Sequence, residues 1–287
     1  IERAKSNAIA EGKIIDLELY ENIQQRIVYQ ETRKQINIDN IAQIAGNQLN
    51  QEQEVSDEKI ENDWTTRFFN IAEDISDEEM QNLWGRILAG EIKKPKSFSI
   101  RTLELLKNLS KDEAEVFTKF SSLKIFAGNT SMVFNQDNGK FLEDEFGINF
   151  TDRLLLTELG LISSENNLEF SFNPTDTVKK INFIEFGNKG IFIERPENTP
   201  KQAISVLVFT KVGSELSKLI DQEPHINYIR NICSSFVFTN VKIEYGDLVK
   251  LPNGQALLLN KTESNILVCG SFFVTSWYTF TSSAFSE

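Results

Sequence analysis

DWTTRFFNIAEDISDEEMQNLWGRILAGEIKKPKSFSIRTLELLKNL, residues 63–109, is the stretch whose reading decides the fold. Trp64 and Trp84 sit about one short helix apart, each on an apolar face. Ile60, Trp64, Phe68 and Ala72 recur at i+4 steps, and Met80, Leu83, Trp84, Ile87 and Leu88 follow at i, i+3, i+4, i+7 and i+8. Ser56 and Asp57 offer caps for the first helix. Ser76 with Glu79 has the spacing of a capping box, a hydroxyl accepting from the N3 amide while the N3 carboxylate reaches back. Gly90 is the expected C-cap, and Pro95 keeps 93–96 from being helical. Ser97 or Ser99 starts a third helix with Ile100, Leu103, Leu106 and Leu109 inward. Ser110 and Glu113 repeat the box ahead of Ala114, Phe117, Phe120 and Leu123. Residues 55–127 are therefore expected to form a block of four short helices with short joins.

Working outward, residues 1–54 are rich in Ala, Ile, Gln, Glu and Asn and contain no proline. Ile23 and Ile27, then Ile41, Ile44, Ala45 and Leu49, recur at helical spacing. This predicts a helical arm with a loose heptad. Because an isolated polar helix is marginal, the arm is expected to pair with another copy of itself as a coiled coil. Towards the C-terminus, 128–143 reads as a loop punctuated by Gly128-Asn129 and Asp137-Asn138-Gly139. A short helix with Leu154, Leu155, Leu156 and Leu159 follows and closes at Gly160. Leu161-Ile162 starts a strand, 168–172 alternates as a strand, and 181–186 and 190–194 flank the hairpin turn Gly187-Asn188-Lys189-Gly190. The apolar run 204–209 leads into a helix at Lys211. That order, helix, hairpin, helix, predicts a winged-helix-like α+β module over 128–231. Residues 232–287 form a β-rich segment, with a hairpin about Pro252-Asn253-Gly254 and an uncharged aromatic run, 266–285, expected to be one or two buried strands.

The net charge of -12 over 287 residues disfavours nucleic acid as a partner, since phosphate contacts need clustered Lys and Arg. Two cysteines make no disulfide framework and point to a reducing, cytoplasmic location. A single histidine, His225, excludes sites needing two imidazoles, and no metal ligand set, cofactor motif, phosphate loop or nucleophile elbow is present. No signal peptide or membrane span is visible. The chain begins at Ile1 within a helical pattern, so membrane association through a segment upstream of Ile1 is left open.

No catalytic residue is assigned. The candidate interaction residues are Asp63, Trp64, Trp84, Glu91, Lys93, Lys94, Lys96, Arg101 and Arg153. The tryptophans are expected to anchor the core and the acids around Asp63 and 73–79 to cap helices. Lys93, Lys94, Lys96 and Arg101 form the densest basic patch, suited to an anionic surface if it does more than meet solvent. Glu91-Ile92-Lys93 matches the tail of a metal-dependent nuclease motif, though here it follows a helix instead of lying on a strand. Arg153 is the lone cation of the helix a DNA reader would use, which weakens a DNA-binding reading.

Three stretches, 60–120, "GINFTDRLLLTELGLI" and "FTKVGSELSKLI", resemble an uncharacterised bacterial protein family. The matched positions are Asp63, Trp64, Trp84, Leu88, Ala89, Gly90, Glu91, Pro95, Ser97, Arg101 and Thr102. The tryptophan-centred helical block is also similar to the Abi-alpha group linked to abortive infection. This second resemblance implies a role in phage defence, and the tail from about Ser235 departs from the pattern. The expectation is an α+β chain: long helical arm, short-helix bundle, winged-helix-like module and C-terminal β-hairpin segment. Its expected function is non-enzymatic, through self-association and contact with a protein partner or membrane surface. A winged-helix DNA-associated regulator and a cryptic nuclease are the alternatives.

Overall fold

The computed structural model describes residues 2–50, 56–128, 130–165, 168–220, 222–223, 225–236, 241–250, 256–269 and 272–279. The chain is α+β, with a long N-terminal helix and an antiparallel sheet, and divides into two compact units, Ile1–Lys107 and Asn108–Glu287.

The first unit is helical. Its arm is one uninterrupted helix, α1 (Glu2–Leu49), 48 residues long and so about 70 Å at 1.5 Å per residue. Among its described side chains Asn37, Ile41 and Ala45 are buried, whereas 16–33 is exposed throughout. α2 (Asn62–Ala72) buries Trp64, Phe68 and Ala72 of the expected i+4 face and also Ile71, whereas Ile60 precedes the helix and is only partly buried. α3 (Glu78–Lys93) buries Trp84, Ile87 and Leu88 as expected, and also Gln81, Gly85, Ala89 and Glu91. α4 (Ile100–Asn108) buries Thr102, Leu103 and Leu106. Trp64 stacks on Phe68 at 5.0 Å and Phe68 meets Trp84 at 5.4 Å, so both tryptophans belong to one aromatic core.

Three local expectations are corrected here. Ser56 and Asp57 do not cap α2, whose N-cap is Glu61 without a side-chain bond. Instead the Ser56 amide donates to the Lys93 carbonyl at 3.2 Å, which ties that segment to the end of α3. α3 is capped by Asp77, whose carboxylate accepts from the Met80 amide, and not by the Ser76–Glu79 box; a carboxylate at the N-cap also meets the positive end of the helix dipole. Gly90 does not end α3, which runs one turn further. A Cβ there would lie 2.9 Å from the Phe98 ring, so Gly90 is small for packing.

The second unit opens with α5 (Lys111–Ser121), capped by the expected Ser110–Glu113 box. The expected loop at 128–143 is replaced by structure. β1 (Ile125–Ala127) and β2 (Thr130–Phe134) pair tightly about Gly128 (φ +61°), and a 3-10 turn (Gln136–Gly139) leads into α6 (Lys140–Phe146). The apolar residues of these strands bury Ile125, Ala127, Met132, Val133 and Phe134, a signal too short to outweigh the neighbouring turn residues. α7 (Phe150–Glu158) begins in an Asn149–Asp152 capping box.

β3 (Glu169–Phe172), β4 (Lys180–Phe186), β5 (Lys189–Arg195) and β6 (Gln202–Val208) follow. β4 and β5 form the expected hairpin, with Phe186 opposite Lys189. Leu161-Ile162 contributes only the bridge Ile162–Phe209. α8 (Lys211–Ser217) is capped by Thr210, and an unexpected helix, α9 (Ile226–Ser234), buries Tyr228, Ile229, Ile232 and Cys233. β7 (Lys242–Lys250) and β8 (Ala256–Cys269) make the C-terminal hairpin, whose turn at 252–254 lies outside the described residues, and β9 (Phe272–Thr279) pairs with β8. Among the described residues the sheet order is β3-β6-β2-β1-β4-β5-β7-β8-β9, with every pair antiparallel. The end of the aromatic run, from residue 280, lies outside the described residues.

Candidate functional site

The end of α3 and the turn that leaves it hold Glu91, Lys93, Lys94 and Lys96. Glu91 is 2% exposed, and both its carboxylate oxygens accept main-chain hydrogen bonds, from the Lys96 amide at 2.6 Å and the Phe98 amide at 2.9 Å. These bonds hold Lys96 at φ +68°, a left-handed conformation that side chains other than glycine rarely adopt. The Phe98 carbonyl in turn accepts the Trp64 indole N–H at 2.7 Å, and the Ser97 hydroxyl donates to the Lys94 carbonyl. Lys96 pairs with Glu58 at 2.8 Å, and that hydrogen bond raises its pKa. Trp64, Glu91 and Lys96 are thus one clasp. Chemically, the Glu91 oxygens are spent on main-chain amides, and the carboxylate lies on a helix, not on a strand.

Trp84 is fully buried and its indole N–H meets no hydrogen-bond partner. Asp63 lies exposed in the first turn of α2, where its charge suits the helix dipole. Lys93, Lys94 and Arg101 are exposed. Arg153, in the second unit, bonds to carbonyls: its guanidinium donates to Ile148 at 3.2 Å and to Gly139 and Asn138 at 3.4 Å. There it braces three consecutive left-handed residues, Asp137, Asn138 and Gly139.

What the sequence reading missed is an amide network between α1 and α3. Gln81, 6% exposed, donates to the Asn37 side-chain oxygen at 3.3 Å and the Ile75 carbonyl at 2.9 Å, and accepts from Asn40 at 3.2 Å. Asn37 also donates to the Glu73 carbonyl, and Lys34 pairs with Glu73 at 2.8 Å, which raises the lysine pKa. A cleft of about 660 Å³ opens above this network, lined mainly by amides and with Arg33 and Glu78 as its charged groups. The signal lies in the Asn and Gln content of residues 1–54, which in the sequence alone marks only a loose heptad.

In the second unit, Lys124 is half-buried and donates to the Ser217 carbonyl at 2.9 Å. Desolvation and the nearby Lys218 push its pKa down to about 8. Burial raises the pKa of the Tyr228 hydroxyl, whose oxygen accepts a hydrogen bond from the Phe134 amide at 2.7 Å, and pushes the Cys233 thiol up to about 12, away from reactivity. Arg195 is buried against Asn182, the Asn173 carbonyl and the Phe172 ring, and burial lowers its pKa. Among the described residues no group of three or more His, Cys, Asp or Glu could hold a metal ion, and no helix is long and apolar enough to cross a membrane.

A model of the family described as "Protein of unknown function (DUF2806)" matches residues 21–233, most of the chain, and the chain belongs to that family. No curated protein and no solved structure matches it.

Proposed function

We propose that this DUF2806 protein is a non-enzymatic interaction protein that self-associates through the free part of α1. The observation that carries the reading is a set of exposed apolar residues on one helix face, interrupted on that face by Asp16, Gln30 and Lys34. At 100° per residue, Ile9, Leu19, Tyr20, Ile23 and Ile27 lie within about 60° of Ile41. Ile41 and Ala45 are buried on that face, whereas Ile9 (61%), Leu19 (56%), Tyr20 (60%), Ile23 (36%) and Ile27 (42%) remain exposed. A helix that keeps an exposed apolar stripe gains by covering it with another helix.

The proposed role in phage defence rests on the resemblance to the Abi-alpha group. The order α7, β4–β5 hairpin, α8 supports a winged-helix-like module, but Arg153 bonding to carbonyls gives no support to a DNA-reading role. The test is a phage challenge of cells carrying the full-length gene beside a gene with Ile23→Glu and Ile27→Glu. Protection by the first and not the second supports both halves of the proposal. No protection by either removes the defence role and leaves self-association to be judged by molar mass.

A further inference from the structure

Helix pairs in water usually close on apolar side chains, and α1 and α3 do so at one place. A Cβ on Gly85 would lie 2.4 Å from Ile44 Cγ2, so the helices touch there almost backbone to side chain. Alongside that contact the same two helices enclose a polar cleft. Its floor is the Asn37–Gln81–Asn40 network, with Asn37 8% and Gln81 6% exposed and both bonded. Buried amides cost stability unless satisfied, and these are satisfied by one another and by main-chain carbonyls, which makes the floor rigid. Its walls carry further amides: Gln43 and Asn47 on α1, exposed on the same stripe as Asn40, and Asn82 on α3.

We propose that this cleft binds an extended peptide segment through the segment's main chain. A carboxamide presents a donor and an acceptor side by side, the complement of a peptide unit's carbonyl and N–H. Gln43 and Asn47 are separated by about 6 Å along the helix axis. The repeat of an extended chain is about 6.7 Å for every two residues, so alternate peptide units meet successive amides. The cleft is open and about 660 Å³ in volume, room for a few residues and not for a folded domain. Arg33 and Glu78 are the charged groups of its lining and so select no net charge in the segment, while Ile36, 51% exposed, offers an apolar contact, so a segment with an aliphatic side chain suits it best. A solvated polar helix face would need neither the concavity nor the two buried, mutually bonded amides beneath it. This inference is independent of self-association through residues 9–27.

The experiment pans a random phage-displayed heptapeptide library on the full chain and measures enriched peptides as fluorescent synthetic copies by anisotropy. The comparison protein carries Asn40→Ala, Gln43→Ala and Asn47→Ala, with circular dichroism and melting used to show that it folds. Since Asn40 also bonds Gln81, a second variant with only Gln43→Ala and Asn47→Ala guards against a merely structural effect. The expected result is a tenfold or larger loss of affinity in both variants, and a similar loss when alternate peptide nitrogens are methylated. Failure to enrich any peptide, equal binding to the double variant, or indifference to N-methylation would each overturn the proposal.

Discussion

Removing the Glu91 carboxylate is the sharpest way to ask whether residues 63–109 are scaffold or site. Its two oxygens accept the amides of Lys96 and Phe98 at 2.6 and 2.9 Å within a nearly closed environment. Hydrogen bonds to charged groups contribute about 1.5–3 kcal/mol each, and a buried amide left unpaired costs about 1–3 kcal/mol. Relaxation of the turn recovers part of this, so Glu91→Ala is expected to destabilise by about 3–5 kcal/mol. Glu91→Gln keeps an acceptor for one of the two amides and should cost roughly half as much. The assay is urea denaturation followed by tryptophan fluorescence, since Trp64 is bonded to the same turn. A Glu91→Ala change within about 0.5 kcal/mol of the parent, the usual range for uninvolved surface positions, would refute the clasp. If the same variant kept full stability and lost a metal-dependent cleavage activity, the nuclease alternative would replace it.

Further outcomes follow from the same reasoning. Gly85→Ala places a methyl against Ile44 and should cost about 1–3 kcal/mol by forcing α1 from α3, measurable as a lowered denaturation midpoint. Arg153→Ala removes the donor that braces the carbonyls of Asn138, Gly139 and Ile148. It should lower the melting temperature by a few degrees without altering DNA retention on a salt gradient. Lys124 titrates near 8 when folded against 10.5 ordinarily, so between those pH values the unfolded chain binds more protons than the folded one. Stability from this group therefore rises as pH climbs from about 8 to 10.5. Allowing for its partial exposure, the parent should gain about 1–2 kcal/mol on Lys124→Met across that window. A flat difference between the two proteins over that range would contradict the burial of the ammonium.

The helices of the first unit were legible because their signals are local. Trp64, Phe68, Ala72, Trp84, Ile87 and Leu88 each fall where 3.6-residue periodicity places them, and in the second unit the Ser110–Glu113 box caps the helix it precedes. Boundaries were less legible where partners distant in sequence decide them. Ser56 was drawn to the Lys93 carbonyl and Gly90 was set by the Phe98 ring, neither of which a local window contains. The β1–β2 hairpin was hidden by its brevity, and α9 by the low regularity of its flanks. The strand pairing about β4–β5 was readable from its turn, but the nine-strand order depends on contacts between distant segments. For the candidate site, Glu91 and the lysines could be singled out from the sequence as lying close together, while the bonds from the Lys96 and Phe98 amides to Glu91 depend on the geometry of the turn. The Asn37–Gln81–Asn40 network was visible only as polar residues in the wrong heptad positions.

The central claim is that the exposed stripe of α1 is covered by another copy of the chain, and molar mass tests it most directly. Light scattering on the eluting peak of the full chain is expected to give at least twice 32.8 kDa, and Ile23→Glu with Ile27→Glu is expected to return it to 32.8 kDa with the helical signal of the first unit retained. A mass of 32.8 kDa for the unaltered protein at high concentration would contradict the account.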